Sequence, residues 1–170
     1  MLIDSSYFTE GPRHILNASM GTLPNPNAME VNKAIMSFIE SYQTEFLCLM
    51  LGDELGCEAD SYILSDREGE VIDHVEGLEE VCLQLKESFA DYVFFQILAH
   101  GNTQATDTGL VRLKCANQYV APINRQVLIW NVMVERNRRF VKWAESDECK
   151  LLGPIHVSSC MLKKLNPLNI

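Results

Sequence analysis

The sequence predicts a mainly α-helical protein: a bundle of three to four main helices with a small β-hairpin or strand insertion and extended N- and C-terminal arms. Apolar residues recur at helical spacing over most of residues 27–146. A short alternating stretch interrupts them near 109–121, and Pro- and Gly-containing segments at 1–26 and 147–170 lack that spacing. With 170 residues, 47% of them hydrophobic, the chain is expected to form a single domain over 1–170.

The N-terminal arm is expected over residues 1–26, with one helical turn around 13–18, because the clusters EGPRH and GTLPNPN break any periodicity. Asn27 and Glu30 have the spacing of a capping box and predict the start of the first helix. Gly52 is expected to end that helix in the left-handed conformation. The apolar stripe of this helix contains Val31, Ile35, Phe38, Tyr42, Phe46 and Leu49.

The middle of the chain predicts two further helices after an acidic connection. Residues 53–73 are acidic and contain two glycines, which indicates a short helix or an irregular surface segment. Residues 74–86 form an amphipathic pattern, and Ser88 is placed to cap a third helix that ends near His100. The apolar residues of this third helix point in all directions, so we expect it to lie at the centre of the fold.

A β element and a long helix follow. The stretch GLVRLKCA at 109–116 alternates like one strand and requires a partner, either QYVA at 118–121 or another chain. Pro122 predicts the start of a helix that runs to about Ser146. Its expected core stripe consists of Ile123, Val127, Trp130, Val134 and Val141. Residues 147–170 are expected to form an extended tail that serves assembly more than folding.

The sequence contains no P-loop, GxGxxG, GxSxG, HExxH or paired CxxC motif. We therefore assign no catalytic residue, no cofactor and no metal. His156 and Cys160 have a spacing that could share a metal ion, but two ligands are too few for a zinc site. The six scattered cysteines are interpreted as reduced structural residues. His100 and Asp107 keep open the alternative of a hydrolase without a recognisable motif.

The net charge of −9, from 14 basic and 23 acidic residues, argues against broad binding to nucleic acid. The longest apolar run is too short to span a membrane, and no signal segment is recognised, so we expect a cytoplasmic protein. Basic residues concentrate on the last long helix. Pairing within the helix, as of Glu135 with Arg139, explains part of this, and a contact with an acidic face of a neighbouring subunit or a passing contact with DNA would explain the rest. The candidate subunit-interface residues are Arg125, Arg136, Arg139, Trp143, Arg112 and Lys114.

Four pieces of the sequence, in this order, carry a resemblance to a known family. They are IMSFIESYQTEFLCLMLG, ADYVFFQIL, TDTGLVRLKCANQ and WNVMVE, and they fall within residues 28–145. Their order and spacing resemble the small head-to-tail connector (adaptor or neck) proteins of tailed phages, particularly those of Bacteroidetes phages and prophages. The acidic stretch 53–73 and the apolar tail depart from that pattern.

The resemblance implies a helical, non-catalytic subunit that joins other copies of itself in a ring between the portal and tail proteins. It implies that DNA passes nearby without specific binding, and that the protein moves from the host cytoplasm into the virion. A head-to-tail contact closes into a ring when the rotation between neighbours permits it. A cytosolic helical protein–protein interaction module is the alternative, since it would use the same arms on another partner.

Overall fold

The computed structural model describes residues 1–16, 18, 26–68, 76–101, 103–106, 109–112, 122–149 and 155–166. Four α-helices run through this part of the chain: α1 over Pro26–Leu51, α2 over Asp53–Glu68, α3 over Leu78–Gly101 and α4 over Pro122–Ala144. Strands β1 at Thr103–Thr106 and β2 at Gly109–Arg112 lie between α3 and α4, and short 3-10 helices lie at Ser5–Phe8, Gly11–Arg13 and Ser159–Leu162. The predicted mainly helical bundle is confirmed.

The helices pack as two antiparallel pairs. Helix α2 folds back along α1 through the single residue Gly52, whose φ of +88° confirms the predicted left-handed end of the first helix. Helix α3 packs along α4, and a smaller α1–α3 contact joins the two pairs. Across the bundle the order is therefore α2, α1, α3, α4, so α2 and α4 lie on opposite sides. Helix α1 begins at Pro26, which places Asn27 inside the helix instead of at its cap.

The core is centred on α1 and α3. Every position from 88 to 94 is buried, which confirms that this segment is central. The Phe46 ring lies 5.1 Å from that of Phe89 and 5.5 Å from that of Tyr92, measured between ring centroids. Such tilted aromatic packing stabilises a core beyond the area that it buries.

The predicted break at Ser88 is wrong, because α3 continues through it. Ser88 is buried, and its hydroxyl donates a hydrogen bond to the Asn137 side chain of α4. The hydroxyl is therefore used across the helix–helix contact and does not cap a new helix. The two segments expected at 74–86 and 88–100 form one helix over Leu78–Gly101.

The acidic segment after Gly52 forms a longer helix than expected, over Asp53–Glu68. Its buried face contains Ala59 and Ile63, and Gly56 lets the two backbones approach closely. A Cβ atom at Gly56 would lie 2.6 Å from the Cα of Cys48. Close packing against α1 thus stabilises a helix that its weak amphipathic pattern does not indicate.

The predicted strand is present at Gly109–Arg112, and within the described residues its partner is β1. The strand pairs antiparallel with β1, with Thr103 opposite Arg112 and Thr106 opposite Gly109. The proposed partner at 118–121 lies outside the described residues. Because the mate comes from the preceding residues of the same chain, the strand does not require another chain for its first edge.

The described part of the N-terminal arm folds onto the helices instead of extending away. Leu2, Ile3 and Phe8 are buried in the core. The backbone N–H of Leu2 donates to Oε1 of Gln43 at 2.7 Å, which holds the chain start against α1. The helical turns lie at Ser5–Phe8 and Gly11–Arg13, earlier than predicted.

The C-terminal tail is also docked, along α4. Its Met161 side chain is fully buried, and four side chains of α4 bond its backbone. Trp130 Nε1 donates to the Lys163 carbonyl (2.9 Å), Asn131 Nδ2 to Leu165 (3.0 Å), Asn137 Nδ2 to Met161 (2.8 Å) and Arg138 Nη2 to Leu162 (3.0 Å). Residues 155–166 thus belong to the folded domain, although the sequence predicts an extended arm.

Candidate interaction surface

The structure places the described interface candidates in different surroundings. Arg125 stacks its guanidinium over Phe94, 4.8 Å from the ring centroid, and donates to the Pro12 carbonyl at 3.0 Å. It therefore fixes the N-terminal segment against the start of α4. The side chain of Arg112 and the whole of Lys114 lie outside the described part of the structure.

Arg136 belongs to an ion cluster that joins α4 to α3. Its Nε lies 2.8 Å from Asp91 Oδ2, and its Nη1 lies 3.4 Å from Glu87. Arg13 completes the cluster with contacts of 2.9 Å to Asp91 and 2.8 Å to Glu87. The cluster ties the N-terminal segment, α3 and α4 together, so its role is structural.

Asp91 is almost completely buried, and that burial raises the pKa of its carboxyl above the ordinary value. The guanidinium groups of Arg13 and Arg136 act in the opposite direction by favouring the charged form. Sequence reasoning missed this residue. The available signal was a lone acid inside the apolar run ADYVFF, which indicates a buried charge with a distant partner.

Arg139 and Trp143, the remaining two candidates, differ in exposure. Trp143 is half-buried and packs on Phe140, with the ring centroids 5.8 Å apart, so it is mainly a packing residue. Arg139 is exposed, and its Nε donates to the Glu135 carbonyl at 3.4 Å. Among the described interface candidates, Arg139 is thus exposed near the end of α4, and Arg125 is exposed near its start.

Arg139 lies on a face of α4 that also exposes a leucine. Leu128 is 61% exposed and stands three helical turns before Arg139 on the same side, with Lys142 one turn beyond. Leu165 of the docked tail is 40% exposed. Its backbone N–H and carbonyl both form hydrogen bonds with the side chain of Asn131, one turn after Leu128. We call Leu128, Arg139, Lys142 and Leu165 the α4 outer face. Ile123, expected in the core, is also largely exposed.

A second face with an exposed leucine lies on the opposite side of the bundle. Glu54, Cys57, Ser61 and Leu64 follow one another at helical spacing along α2, and all four are exposed. Leu64 is 47% exposed. We call these four residues the α2 outer face. Sequence reasoning treated this segment as a solvated acidic surface and did not detect the leucine within it.

The two helices carry opposite charge. Helix α2 contains six acidic residues and one arginine, whereas α4 contains five basic residues and one glutamate. Some of the basic groups already have partners: Arg136 lies in the ion cluster, and Arg138 contacts Glu135 at 3.2 Å. Arg139 and Lys142 remain exposed. The molecule therefore has an acidic side with an exposed leucine and a basic side with an exposed leucine.

The β-hairpin lies between α3 and α4 in the chain and is a further candidate contact element. Its two strands form a two-stranded sheet, so within the described residues each strand has one edge without a strand partner. Open edges of this kind accept a further strand from another chain. The hairpin lies where α3 ends and α4 begins.

His100 occupies the last turn of α3 in an aromatic setting. Its Nδ1 lies 2.8 Å from the Gln96 carbonyl, and its Nε2 lies 3.4 Å from the Tyr42 hydroxyl. The Phe38 ring packs against it edge to face at 5.6 Å. These contacts indicate that His100 packs the end of α3 against α1. Asp107, its proposed carboxylate partner, lies outside the described residues.

A cleft of about 680 Å³ lies between the start of α3, the end of α2 and the chain start. Its rim carries Glu76, Glu79, Glu80 and Lys86, and its floor includes Ile63.

Within the described ranges, no group of three or more His, Cys, Asp or Glu side chains is placed to hold a metal ion. A search of the same ranges finds no helix that is long and apolar enough to cross a membrane.

Comparisons of the chain with protein-family models, with curated proteins and with solved structures found no match.

Proposed function

We propose that this protein is a non-catalytic structural subunit of a tailed-phage head–tail connector. Copies of the chain would join head to tail into a ring between the portal and tail proteins, with DNA passing through without specific binding. The resemblance of the sequence pieces, in their order and spacing, to the connector family supports this class of protein. The observation that carries the proposal is the pair of outer faces on opposite sides of the bundle, each with an exposed leucine and of opposite charge.

Opposite faces of opposite charge favour a head-to-tail contact over a two-fold one. In a two-fold contact the same patch meets itself, which would bring Arg139 and Lys142 against their own copies. If the α4 outer face of one chain meets the α2 outer face of the next, the basic groups approach acidic ones. Leu128 and Leu64 then lose their exposure to water together. Such a contact repeats from chain to chain and closes when the rotation is right.

The net negative charge of the chain is compatible with a channel through which DNA passes. With 23 acidic against 14 basic residues, the chain repels the phosphate backbone, so DNA moves past it instead of being held. The strand edges of the β-hairpin that have no partner within the described residues offer an additional site where a portal or tail protein could add a strand.

The test uses two full-length variants that each block one face. Leu128→Glu disables the α4 outer face and Leu64→Glu disables the α2 outer face. Size-exclusion chromatography with light scattering and electron microscopy should find rings for the parent chain at high concentration and monomers for each variant alone. An equimolar mixture should form a heterodimer and nothing larger, because one intact face from each variant remains.

Leu83→Glu is the matched control. Leu83 is 60% exposed on α3 and lies outside both faces, so this variant should assemble like the parent chain. Circular dichroism checks that all three variants fold. A two-fold contact through one face would leave the variant of the other face, Leu64→Glu or Leu128→Glu, fully competent to assemble. A parent chain that remains monomeric at every concentration would contradict the ring and favour the interaction module.

A further inference from the structure

The tightest backbone contact between α1 and α2 lies beside a pair of cysteines. Gly56 packs directly on α1: a Cβ atom there would lie 2.6 Å from the Cα and 2.7 Å from the N of Cys48. Cys57 follows Gly56 in the chain. The single-residue connection at Gly52 fixes the register of the two helices, so Cys57 is held beside Cys48.

The two thiols lie close together and differ in exposure: Cys48 is half-buried and Cys57 is exposed. Burial raises the pKa of the Cys48 thiol, and the contact with Cys57 adds to the shift. Cys57 is therefore the thiol that an oxidant in solution reaches first, with Cys48 behind it in position to react second.

We propose that Cys48 and Cys57 form a reversible disulfide, which makes the α1–α2 joint a site of oxidation by peroxide. The Cys57 sulfur attacks the peroxide, takes one oxygen as a sulfenic acid and releases water. The Cys48 sulfur then displaces the hydroxyl group from Cys57, and this hydroxyl leaves as a second water with the Cys48 proton. Two thiols lose two electrons and two protons, and one peroxide becomes two waters. A small dithiol reverses the step by exchange.

The disulfide would link α1 to α2 near the place where the C-terminal tail contacts them. The Ser158 N–H donates to the Leu49 carbonyl at 2.8 Å, and a Cβ atom at Gly52 would lie 3.4 Å from the Cβ of His156. A covalent link between α1 and α2 limits their separation in the unfolded chain and so stabilises the fold. The thiols persist in a reducing cytoplasm, and the link forms where peroxide is present.

The experiment treats the reduced full-length chain with a small excess of hydrogen peroxide. Remaining thiols are then alkylated, and the chain is digested with a protease that cleaves after glutamate. Because Glu54 lies between the two cysteines, cleavage separates them, and the disulfide appears as a linked pair of peptides. We expect that pair, its loss on adding dithiothreitol, and a higher thermal midpoint for the oxidised chain.

Three variants complete the test. Cys48→Ser should leave Cys57 as a sulfenic acid that dimedone captures, and Cys57→Ser should leave Cys48 unmodified at the same dose. Cys160→Ser is the matched control, because Cys160 is an exposed cysteine elsewhere and its loss should not affect the link. Burial raises the pKa of Cys82 to about 11, so that thiol should stay unmodified in the native chain.

Two results would overturn the inference: stable sulfenic or sulfinic acid at Cys57 in the parent chain without a link to Cys48, or a disulfide that joins either residue to a different cysteine. The readout is covalent and is made on the dilute monomeric chain, because Cys57 also belongs to the α2 outer face that the proposed ring would cover. On the monomer, failure of ring assembly leaves this result unchanged, and a missing disulfide does not contradict the ring.

Discussion

Met161→Ala tests whether the C-terminal tail is part of the folded domain. Met161 is fully buried, and its carbonyl accepts a hydrogen bond of 2.8 Å from Asn137, which is itself fully buried on α4. Truncation to alanine removes three heavy atoms from a closed site and leaves a cavity. Methionine-to-alanine changes in such sites cost about 2–5 kcal/mol, and the cost is larger where the surroundings cannot collapse.

We expect a loss of about 3 kcal/mol, since rigid α4 forms one wall of the site and a movable tail forms the other. For a chain of this size each kcal/mol lowers the thermal midpoint by roughly 2–4 °C, so the expected shift is ~6–12 °C. Urea unfolding followed by circular dichroism at 222 nm measures the free energy, and an unchanged urea dependence indicates that the same surface unfolds.

Lys163→Ala is the control for Met161→Ala. Lys163 is exposed in the same segment and uses its backbone carbonyl, not its side chain, to bind Trp130, so its truncation should change stability by less than about 0.5 kcal/mol. If Met161→Ala changed stability as little as this control does, the tail would contribute nothing to the fold, and docking along α4 would be refuted.

Three further predictions follow from the packing and the charges. Arg136→Ala should cost ~1–3 kcal/mol in urea unfolding, because it removes one of the two cations at buried Asp91, whereas Arg139→Ala should change the same quantity by less than about 0.5 kcal/mol. Gly56→Ala should lower the thermal midpoint by the equivalent of ~1–3 kcal/mol, since its Cβ would lie 2.6 Å from α1 backbone; an unchanged midpoint would mean that the helices are farther apart. Hydrogen bonds from a neighbouring serine hold the pKa of Asp4 below its ordinary value, so its contribution is present above about pH 4; the stability gap to Asp4→Ala should shrink as the pH falls below about 4.

The helices were predictable where their own residues encode them. The apolar repeat of α1 and the left-handed Gly52 at its end are local signals, and the structure confirms both. Pro122 likewise marks the start of α4. Each of these signals acts within one or two turns of the helix, so no knowledge of the tertiary partner is needed to use it.

Polar residues inside apolar runs were misinterpreted because their partners are far away in the sequence. Ser88 resembles a helix cap, but it bonds Asn137, 49 residues later. Asp91 carries no local sign of its two cations, one of which lies 78 residues earlier, at Arg13. A single sequence does not reveal such pairs, since neither periodicity nor composition records which charge faces which.

The docking of the two terminal segments onto the helices was not predicted, and the reason is different. The tail docks through hydrogen bonds from α4 side chains to its backbone, which any sequence could accept, and through one buried methionine. Backbone recognition leaves no repeating pattern in the recognised segment. Two asparagines on α4 could have indicated that this helix binds another segment, because asparagine is not favoured inside a helix. They are Asn131 and Asn137.

In the proposed ring, the docked tail would link folding to assembly, because it contributes Leu165 to the α4 outer face. Met161 anchors the tail inside, whereas Leu165 is 40% exposed beside Leu128. Leu165→Ser should therefore weaken ring formation and leave the urea midpoint within experimental error, while Met161→Ala should lower both together. If Leu165→Ser assembled like the parent chain, the contact would involve α4 alone, and the tail would act only in folding. Light scattering and urea unfolding on the same preparations separate these outcomes.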